Sequence, residues 1–248
     1  MFRPPRPRFQ QVDSDVFLIR GRLSNWVILY EDKALTVIDT GHRQEAALMQ
    51  KSLAMVAART GAQRVEALLL THIHDAHAGS IGLVKVLAEH NVRILTSTRE
   101  RSSTPTYSES AIGEQDGSRR PWHSRPIRRL WRPGQEEGIA RADLNRMTSF
   151  EDDSALDVPG RPIPIPSPGH TLGHTAFFLP HQELLISGDA MVSTYPGTGH
   201  YGPQTLPAQM NDDNAAAQRT MVALLAVPAE LYLPGHGPVG NLRNGRGF

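Results

Sequence analysis

The chain has 248 residues, of which 39% are hydrophobic and 21% are charged, and it contains 11 histidines and no cysteine. This composition excludes a disordered, collagen-like or coiled-coil protein, and a formal net charge of +1 predicts no dominating electrostatic partner. Without cysteine there can be no disulfide framework, thiolate zinc cluster, iron–sulfur centre or thiol nucleophile. Any bound metal ion must therefore be held by nitrogen and oxygen atoms.

The N-terminal part of the chain alternates strands with helices. Short apolar runs predict strands at residues 16–19, 26–30, 35–38, 65–70 and 92–95. The first three form a meander, and the fourth is almost uninterruptedly apolar, as in a strand covered on both faces. Apolar residues at helical spacing predict a helix over residues 43–60 that ends at Gly61, and a second helix over residues 81–88.

Residues 97–150 are polar, interrupted by Pro and Gly, and poor in consecutive apolar residues. Such a segment buries little apolar surface alone, so we interpret it as a lid-like insertion and not as a separate domain. Its stretch from residue 119 to residue 132 combines six arginines with Trp122 and Trp131 and has no acidic residue. Arginine and aromatic side chains can bind single-stranded nucleic acid through phosphate contacts and base stacking. Because the net charge of the chain is only +1, we instead interpret this stretch as a solvated lid whose tryptophans cover the active site or contact a partner subunit. We therefore expect no nucleic-acid partner. A homodimer stays an open alternative.

Regular structure is predicted again after residue 160. Ile163 and Ile165 alternate with prolines, which is typical of an edge strand. Further strands are expected at residues 175–179, 184–187 and 231–233, with a helix around residues 217–225. Because strands followed by a helix occur twice, we predict one α/β domain over residues 1–248. Its two β-rich halves carry helices outside, which makes a four-layer αββα sandwich.

Three histidines lie together directly after the predicted buried strand. His72, His74 and His77 fall within six residues, and imidazole is a versatile ligand for zinc and similar metals. Three other segments place a donor beside a glycine at the end of an apolar strand, and these donors are His170, Asp189 and His236. Glycine lets the backbone turn sharply so that the donor projects from the rim. The four segments together predict a metal site.

These motifs, in this order, resemble the metallo-β-lactamase-fold hydrolases, including glyoxalase II-like and lactonase-like members. The resemblance runs from VIDTG through THIHDAHAGS, SPGHTLGH and ISGDAM to LPGHGP. It implies a first metal held by His72, His74 and His170. It implies a second metal held by His77 and His236, with Asp189 bridging both. The implied cofactor is one or two zinc ions, and iron or manganese also suits nitrogen and oxygen donors.

The resemblance also implies residues that orient the ligands, namely Asp39, His174 and Asp75, with a purely structural role as the alternative for the first two. The family's first motif is HxHxDH, and Ala76 stands where the aspartate ligand of the second metal normally lies. Asp75 does not simply replace it, because a neighbouring residue generally points elsewhere. Two accounts remain open. Either the second site keeps three protein ligands and binds its metal more weakly, or the chain carries an engineered Asp-to-Ala change at position 76.

The expected chemistry is hydrolysis by metal-bound hydroxide. The chain has no cysteine and no GxSxG motif, so no protein nucleophile is expected, and a divalent metal lowers the pKa of bound water to about 7. We predict a hydrolase of a small ester, thioester, lactone or amide, with activity lowered or altered by Ala76. The alternatives are a nuclease or phosphodiesterase of the same fold and a metal-binding relative with little turnover.

The substrate is a small molecule by the same resemblance, and Tyr195, His200 and Tyr201 are candidates to contact it. They lie on a Gly- and Pro-rich loop after the implied bridging aspartate. Val192 occupies the position of a tyrosine found in similar lactonases, and only 12 residues follow His236, where glyoxalase II-like enzymes carry a long glutathione-binding segment. We therefore expect neither of these two subgroups. Residues 1–10 contain no apolar signal-peptide core. No apolar run approaches the roughly 20 residues that cross a bilayer. We therefore expect a generic cytoplasmic hydrolase with no membrane partner.

Overall fold

The computed structural model describes residues 8–88, 91–103, 146–150, 154–195 and 198–243. Residues 104–145, which contain most of the predicted lid-like insertion and its arginine-rich stretch, lie outside the described residues. The insertion therefore stays a prediction. Among the described residues, none of the helices is both long enough and apolar enough to span a bilayer.

Seven strands form a large sheet in the order β1-β2-β3-β4-β5-β6-β7. They are β1 (Arg8–Asp13), β2 (Val16–Arg20), β3 (Asn25–Glu31), β4 (Ala34–Ile38), β5 (Arg64–Leu69), β6 (Arg93–Ser97) and β7 (Thr148–Phe150). The first four pair antiparallel, as the predicted meander requires. The strands from β4 to β7 pair in parallel, and parallel neighbours need a crossover connection.

Five α-helices connect or cover the strands in the described residues. They are α1 (Ala46–Thr60), α2 (Asp75–Ala78), α3 (Ile81–Leu87), α4 (Thr98–Ser103) and α5 (Asn214–Leu225). The predicted end of α1 is confirmed, because Gly61 has a φ of 76° and its N–H donates to the carbonyl of Ala57. The residues before α1, Arg43–Glu45, form a 3₁₀ turn and not the first turn of an α-helix.

The second sheet has five strands in the order β12-β11-β10-β9-β8. They are β8 (Ile163–Pro166), β9 (Thr175–Leu179), β10 (Leu184–Gly188), β11 (Leu231–Pro234) and β12 (Gly240–Asn241). The edge position of β8 is as predicted from its prolines, which cannot donate to a second neighbour. α5 is the crossover between the parallel strands β10 and β11.

The two sheets pack face to face because alternate strand residues point to opposite faces. Val16 and Leu18 of β2 belong to the apolar cluster that joins the two sheets. Phe17 and Ile19 belong to a second cluster, which contains the buried side of α1. A third cluster packs α5 on the outer face of the small sheet. These three apolar clusters fill the spaces between four successive layers, which are helix, sheet, sheet and helix. The arrangement is the four-layer αββα sandwich that the sequence predicts.

Polar residues of the predicted site follow four strands at one edge of this sandwich. Asp39 directly follows β4 and Asp189 directly follows β10. His72 lies just beyond the end of β5, and His236 lies just beyond the end of β11. In α/β proteins, ligands commonly bind at the carboxyl ends of the strands. The order of the strands in the two sheets therefore brings these four residues to the same edge.

Candidate metal centre

One group of possible metal ligands consists of His72, His74 and His170. Each offers one ring nitrogen, and these atoms lie within 4.8 Å of one another. Nδ1 of His74 is 3.1 Å from Nε2 of His170. Two nitrogens bound to one tetrahedral zinc ion lie about 3.4 Å apart, given zinc–nitrogen distances of 2.0–2.1 Å. The three rings therefore have the spacing of a metal-binding triad.

A second group is built around the carboxylate of Asp189. His72, His77 and Asp189 offer atoms within 4.8 Å of one another. Nε2 of His77 lies 3.3 Å from Oδ1 of Asp189, and Nε2 of His236 lies 3.2 Å from its Oδ2. Nε2 of His170 lies 3.6 Å from the same Oδ2. The structure thus brings all six predicted ligands together, with the aspartate between the two sets of histidines.

Several donor atoms in the cluster are buried without a hydrogen-bond partner among the described residues. They include Nε2 of His72, and also Nε2 of His77 and Oδ1 of Asp189, which face each other at 3.3 Å as an ion pair but make no hydrogen bond. Buried polar atoms are almost always satisfied, and each exception needs an explanation. A divalent cation accounts for all three, because the atoms converge and are the nitrogen and oxygen donors that such ions take. These residues fit a bound metal.

A hydrogen-bond chain from Asp39 sets the orientation of His72. The hydroxyl of Thr71 donates to Oδ2 of Asp39 at 2.9 Å, and this uses its only proton. The same hydroxyl, 3.0 Å from Nδ1 of His72, must then accept the proton of that nitrogen. Nε2 of His72 is left with a free lone pair directed into the cluster.

Asp39 also holds His77 directly. Its Oδ2 lies 2.9 Å from Nδ1 of His77, and its Oδ1 accepts the backbone N–H of Thr71 at 2.9 Å. The aspartate has a φ of 61°, a conformation that Asp and Asn tolerate better than most residues. One carboxylate therefore contacts the ring of His77 directly and that of His72 through Thr71.

His174 supports Asp189 from behind. Its Nε2 accepts the backbone N–H of Asp189 at 3.1 Å, and its Nδ1 lies 3.0 Å from the hydroxyl of Ser167. Both ring nitrogens are thus occupied, so this buried histidine positions the aspartate and does not bind the metal. Gly188 is required beside it, since a Cβ there would lie 2.7 Å from Nε2 of His174.

The charges of the cluster are strongly coupled. Burial lowers the pKa of His170 to about 4 and lowers the pKa of His72 well below its ordinary value. Burial acts in the same direction on His77, but Asp189 and Asp39 outweigh it and raise its pKa to about 10. Burial opposes ionisation of Asp189, yet His236 and His77 hold the pKa of that carboxyl well below its usual range. Without a cation, His77 therefore holds an extra proton, and its positive charge lies beside Asp189 and Asp39.

Asp75 and Ala76 begin the short helix α2, and neither contributes a donor to the described cluster. The Asp75 carboxylate points to the other side, with Oδ2 2.8 Å from Nε2 of His42 and 3.7 Å from Nε of Arg43. It holds the start of α2 against the turn before α1, and the structure shows no direct contact of Asp75 with a ligand ring. Ala76 offers only a methyl group, and its carbonyl accepts from the hydroxyl of Ser24.

The three candidates for substrate contact lie at different distances from the cluster. The ring of Tyr195 stands edge-on to that of His236, with centroids 5.2 Å apart. Burial, followed by the nearby charge of Asp189, raises its pKa. His200 is exposed and Tyr201 is 74% exposed. Within the described residues, only Tyr195 of the three contacts a cluster residue.

The sequence reasoning missed two residues that hold the ligand segments. Thr71 connects Asp39 to His72, and its position directly before the first histidine was the available signal. Glu100 on α4 binds the backbone next to His72 and the side chain next to His170. No local pattern marked this glutamate, because its partners are distant in the chain.

The αββα fold and the histidine-rich centre at its strand ends define the class to which this protein belongs. The sequence pattern of the metallo-beta-lactamase superfamily matches residues 19–236, and the chain is a member of that superfamily. A curated relative from Streptococcus pyogenes serotype M6, named as a probable metallo-hydrolase, is 27% identical over 217 residues. The match covers 86% of this chain and 79% of the relative.

Solved structures show the same fold at low sequence identity. A metallo-beta-lactamase family protein from Thermus thermophilus is 21% identical, with a TM-score of 0.59, and the match covers 95% of this chain and 78% of that protein. A metallo-beta-lactamase from Pontibacter korlensis is 16% identical, with a TM-score of 0.60, and the match covers 96% and 94% of the two chains. These similarities concern the fold alone.

Proposed function

We propose that this protein is a metal-dependent hydrolase of a small ester, thioester, lactone or amide, with zinc as its metal. The observation that carries the proposal is the convergence of buried donor atoms without hydrogen-bond partners, on His72, His77 and Asp189, in a member of the metallo-beta-lactamase superfamily. The streptococcal relative, named as a probable metallo-hydrolase, supports the same reaction class.

The chain's own residues prepare the site for this chemistry. A bound divalent ion lowers the pKa of water and polarises a carbonyl oxygen. Asp39 and Thr71 keep the Nε2 atoms of His72 and His77 directed inward. His174 fixes the backbone of Asp189, so the ligands need little reorganisation when an ion binds.

The two halves of the centre are unequal. His72, His74 and His170 supply three nitrogens to one half. The other half has His77, His236 and one oxygen of Asp189. Ala76 adds no donor to it. Fewer donors predict weaker binding of a second ion, so we propose one tightly held ion and one that exchanges more readily.

Metal analysis and a substrate panel test the proposal. The purified chain is stripped with a chelator, reloaded with Zn²⁺, and analysed for zinc per chain and for hydrolysis of esters, thioesters, lactones, amides and phosphodiesters. We expect zinc-dependent cleavage of a carbonyl substrate that is lost in His72→Ala and retained in His181→Ala, a change at an exposed histidine outside the cluster. Wild-type hydrolysis by His72→Ala contradicts the proposal. Cleavage of phosphodiesters alone supports a nuclease, and zinc binding without hydrolysis supports a metal-binding relative.

Three further features remain predictions from the sequence. They are the cytoplasmic location, a small-molecule substrate without a nucleic-acid or membrane partner, and a homodimer as an open alternative. The substrate panel addresses the second, and size-exclusion chromatography with light scattering addresses the third.

A further inference from the structure

Glu100 is a buried carboxylate that joins two separate segments of the metal centre. It is 3% exposed and lies in α4, which contributes no residue to the cluster of possible ligands. Its Oε1 accepts the backbone N–H of Ile73 at 2.8 Å, and its Oε2 accepts the hydroxyl of Thr171 at 2.7 Å. Ile73 stands between two ligand histidines, and Thr171 directly follows a third.

The backbone of α4 is fixed to the same region. The hydroxyl of Ser97 accepts the N–H of Glu100 at 3.1 Å, which caps the helix, and it donates to the carbonyl of Gly173 at 2.6 Å. A Cβ at Gly173 would overlap the backbone of Glu100. The backbone of Glu100 is therefore packed directly against the backbone of Gly173.

Burying a carboxylate at this position costs free energy unless its oxygens are hydrogen-bonded. Burial raises the pKa of Glu100, and the hydrogen bonds from the Thr171 side chain and from the backbones of Ile73 and Gly173 oppose that rise. Holding together two loops could be achieved by apolar packing, which carries no desolvation penalty. Charge-assisted hydrogen bonds are shorter and more directional than neutral ones. They set the position of the backbone on which the ligand rings depend.

We propose that Glu100 is a positioning residue for the metal centre, holding the segment of His72 and His74 at the correct distance from the segment of His170. The inference rests on the proposed function only in requiring that the site binds a metal. Residues that orient metal ligands typically contribute 10- to 100-fold to metal affinity. We therefore expect removal of this carboxylate to weaken metal binding by about that factor.

Cobalt titration tests the inference without measuring turnover. Metal-free wild type, Glu100→Ala and Glu100→Gln are titrated with Co²⁺, whose visible absorption reports the coordination geometry. Glu100→Ala should bind Co²⁺ about 10- to 100-fold more weakly and with an altered spectrum. Glu100→Gln should recover most of the affinity, since its amide oxygen can accept from Ile73 while its NH₂ donates to Thr171.

Glu45 offers a matched control for loss of a buried glutamate. It is 7% exposed, and its carboxylate accepts the N–H of Arg22 at 2.6 Å and that of Leu23 at 3.4 Å, in a turn that bears no predicted ligand. Glu45→Ala should lower the thermal unfolding temperature yet leave the cobalt spectrum and affinity of the folded fraction unchanged. If Glu100→Ala does not fold, Thr171→Val removes one of the hydrogen bonds to the carboxylate with little change of shape and should weaken binding by a smaller factor.

The outcomes separate this inference from the proposed function. If wild type binds no Co²⁺, both the metal centre and the positioning role are overturned. If wild type binds Co²⁺ but Glu100→Ala, or Thr171→Val in its place, binds with wild-type affinity and spectrum, only the positioning role is overturned. If Glu45→Ala weakens cobalt binding as much as Glu100→Ala does, the effect is a general loss of stability and the inference also fails.

Discussion

Oδ2 of Asp39 lies 2.9 Å from Nδ1 of His77, and the same oxygen accepts the hydroxyl of Thr71, which holds the ring of His72. The two histidines are separated in the chain by a turn and the start of α2, yet one oxygen atom fixes both rings. Asp39 therefore orients one histidine in each half of the candidate metal centre.

Removing the charge of Asp39 should weaken binding of both ions. Asp39→Asn keeps the side-chain size and tolerates the positive φ. Its single amide oxygen cannot replace both carboxylate oxygens, because an NH₂ group at the position of Oδ1 would face the backbone N–H of Thr71 that Oδ1 accepts. We expect zinc affinity to fall about 10- to 100-fold, measured by competition with a chelating dye. Asp157→Asn, at an exposed aspartate outside the cluster, is the control. Equal affinities of the two variants would contradict the role of Asp39.

Restoring a carboxylate at position 76 should strengthen the second metal site. Ala76→Asp adds an oxygen donor next to His77 on the first turn of α2. We expect zinc per chain to rise from about one to about two after dialysis against dilute zinc, because more donors hold a divalent ion more tightly. Ala54→Asp, at an exposed position of α1, should leave the metal content unchanged. Unchanged stoichiometry and hydrolysis in Ala76→Asp would show that the absent aspartate does not limit the site.

The stability of the metal-free protein should be greatest near pH 6.5. The folded pKa of His170 is about 4 against an ordinary 6.5, so the unfolded chain binds more protons in that interval and stability rises with pH. The folded pKa of His77 is about 10, so the folded chain binds more protons above pH 6.5 and its contribution is lost as pH rises toward 10.

Thermal unfolding in the presence of a chelator, from pH 4 to pH 10, checks this dependence. The unfolding temperature should pass through a maximum, and His77→Gln should flatten the decline on the alkaline side. His181→Gln, at an exposed histidine, should retain the wild-type profile. A wild-type unfolding temperature that stays constant or rises between pH 7 and pH 9 would contradict the assignment of the extra proton to His77.

Tyr195 should contribute to substrate binding and Tyr201 should not. The ring of Tyr195 is half-buried against His236, whereas Tyr201 is 74% exposed. Loss of one hydrogen bond of about 0.5–1.5 kcal/mol predicts that Tyr195→Phe lowers kcat/KM about 2- to 10-fold for the preferred substrate. Steady-state kinetics of both phenylalanine variants check this, and an equal effect of the two substitutions would argue against a specific contact by Tyr195.

Most of the regular structure could be predicted from local patterns. Short apolar runs located β2, β3 and β4, and the prolines around Ile163 marked an edge strand correctly. The elements that escaped prediction are short or lie at edges, namely β1, β7, β12, α2 and α4. Their residues show little apolar periodicity, and pairing or packing against distant parts of the chain stabilises them. Local sequence carries no signal of such partners.

The sequence by itself determined the donor chemistry of this protein: no cysteine, histidines and an aspartate beside glycines at strand ends, and an alanine where a carboxylate is normally found. These are properties of residue type and order, so they can be read before folding is known. Only the tertiary structure decided which atoms each supporting group contacts, and only the structure brought in Glu100. This glutamate reaches Ile73 and Thr171. Such hydrogen bonds depend on atoms meeting within about 3 Å, a proximity that the packing of two sheets creates and that no spacing along the chain encodes.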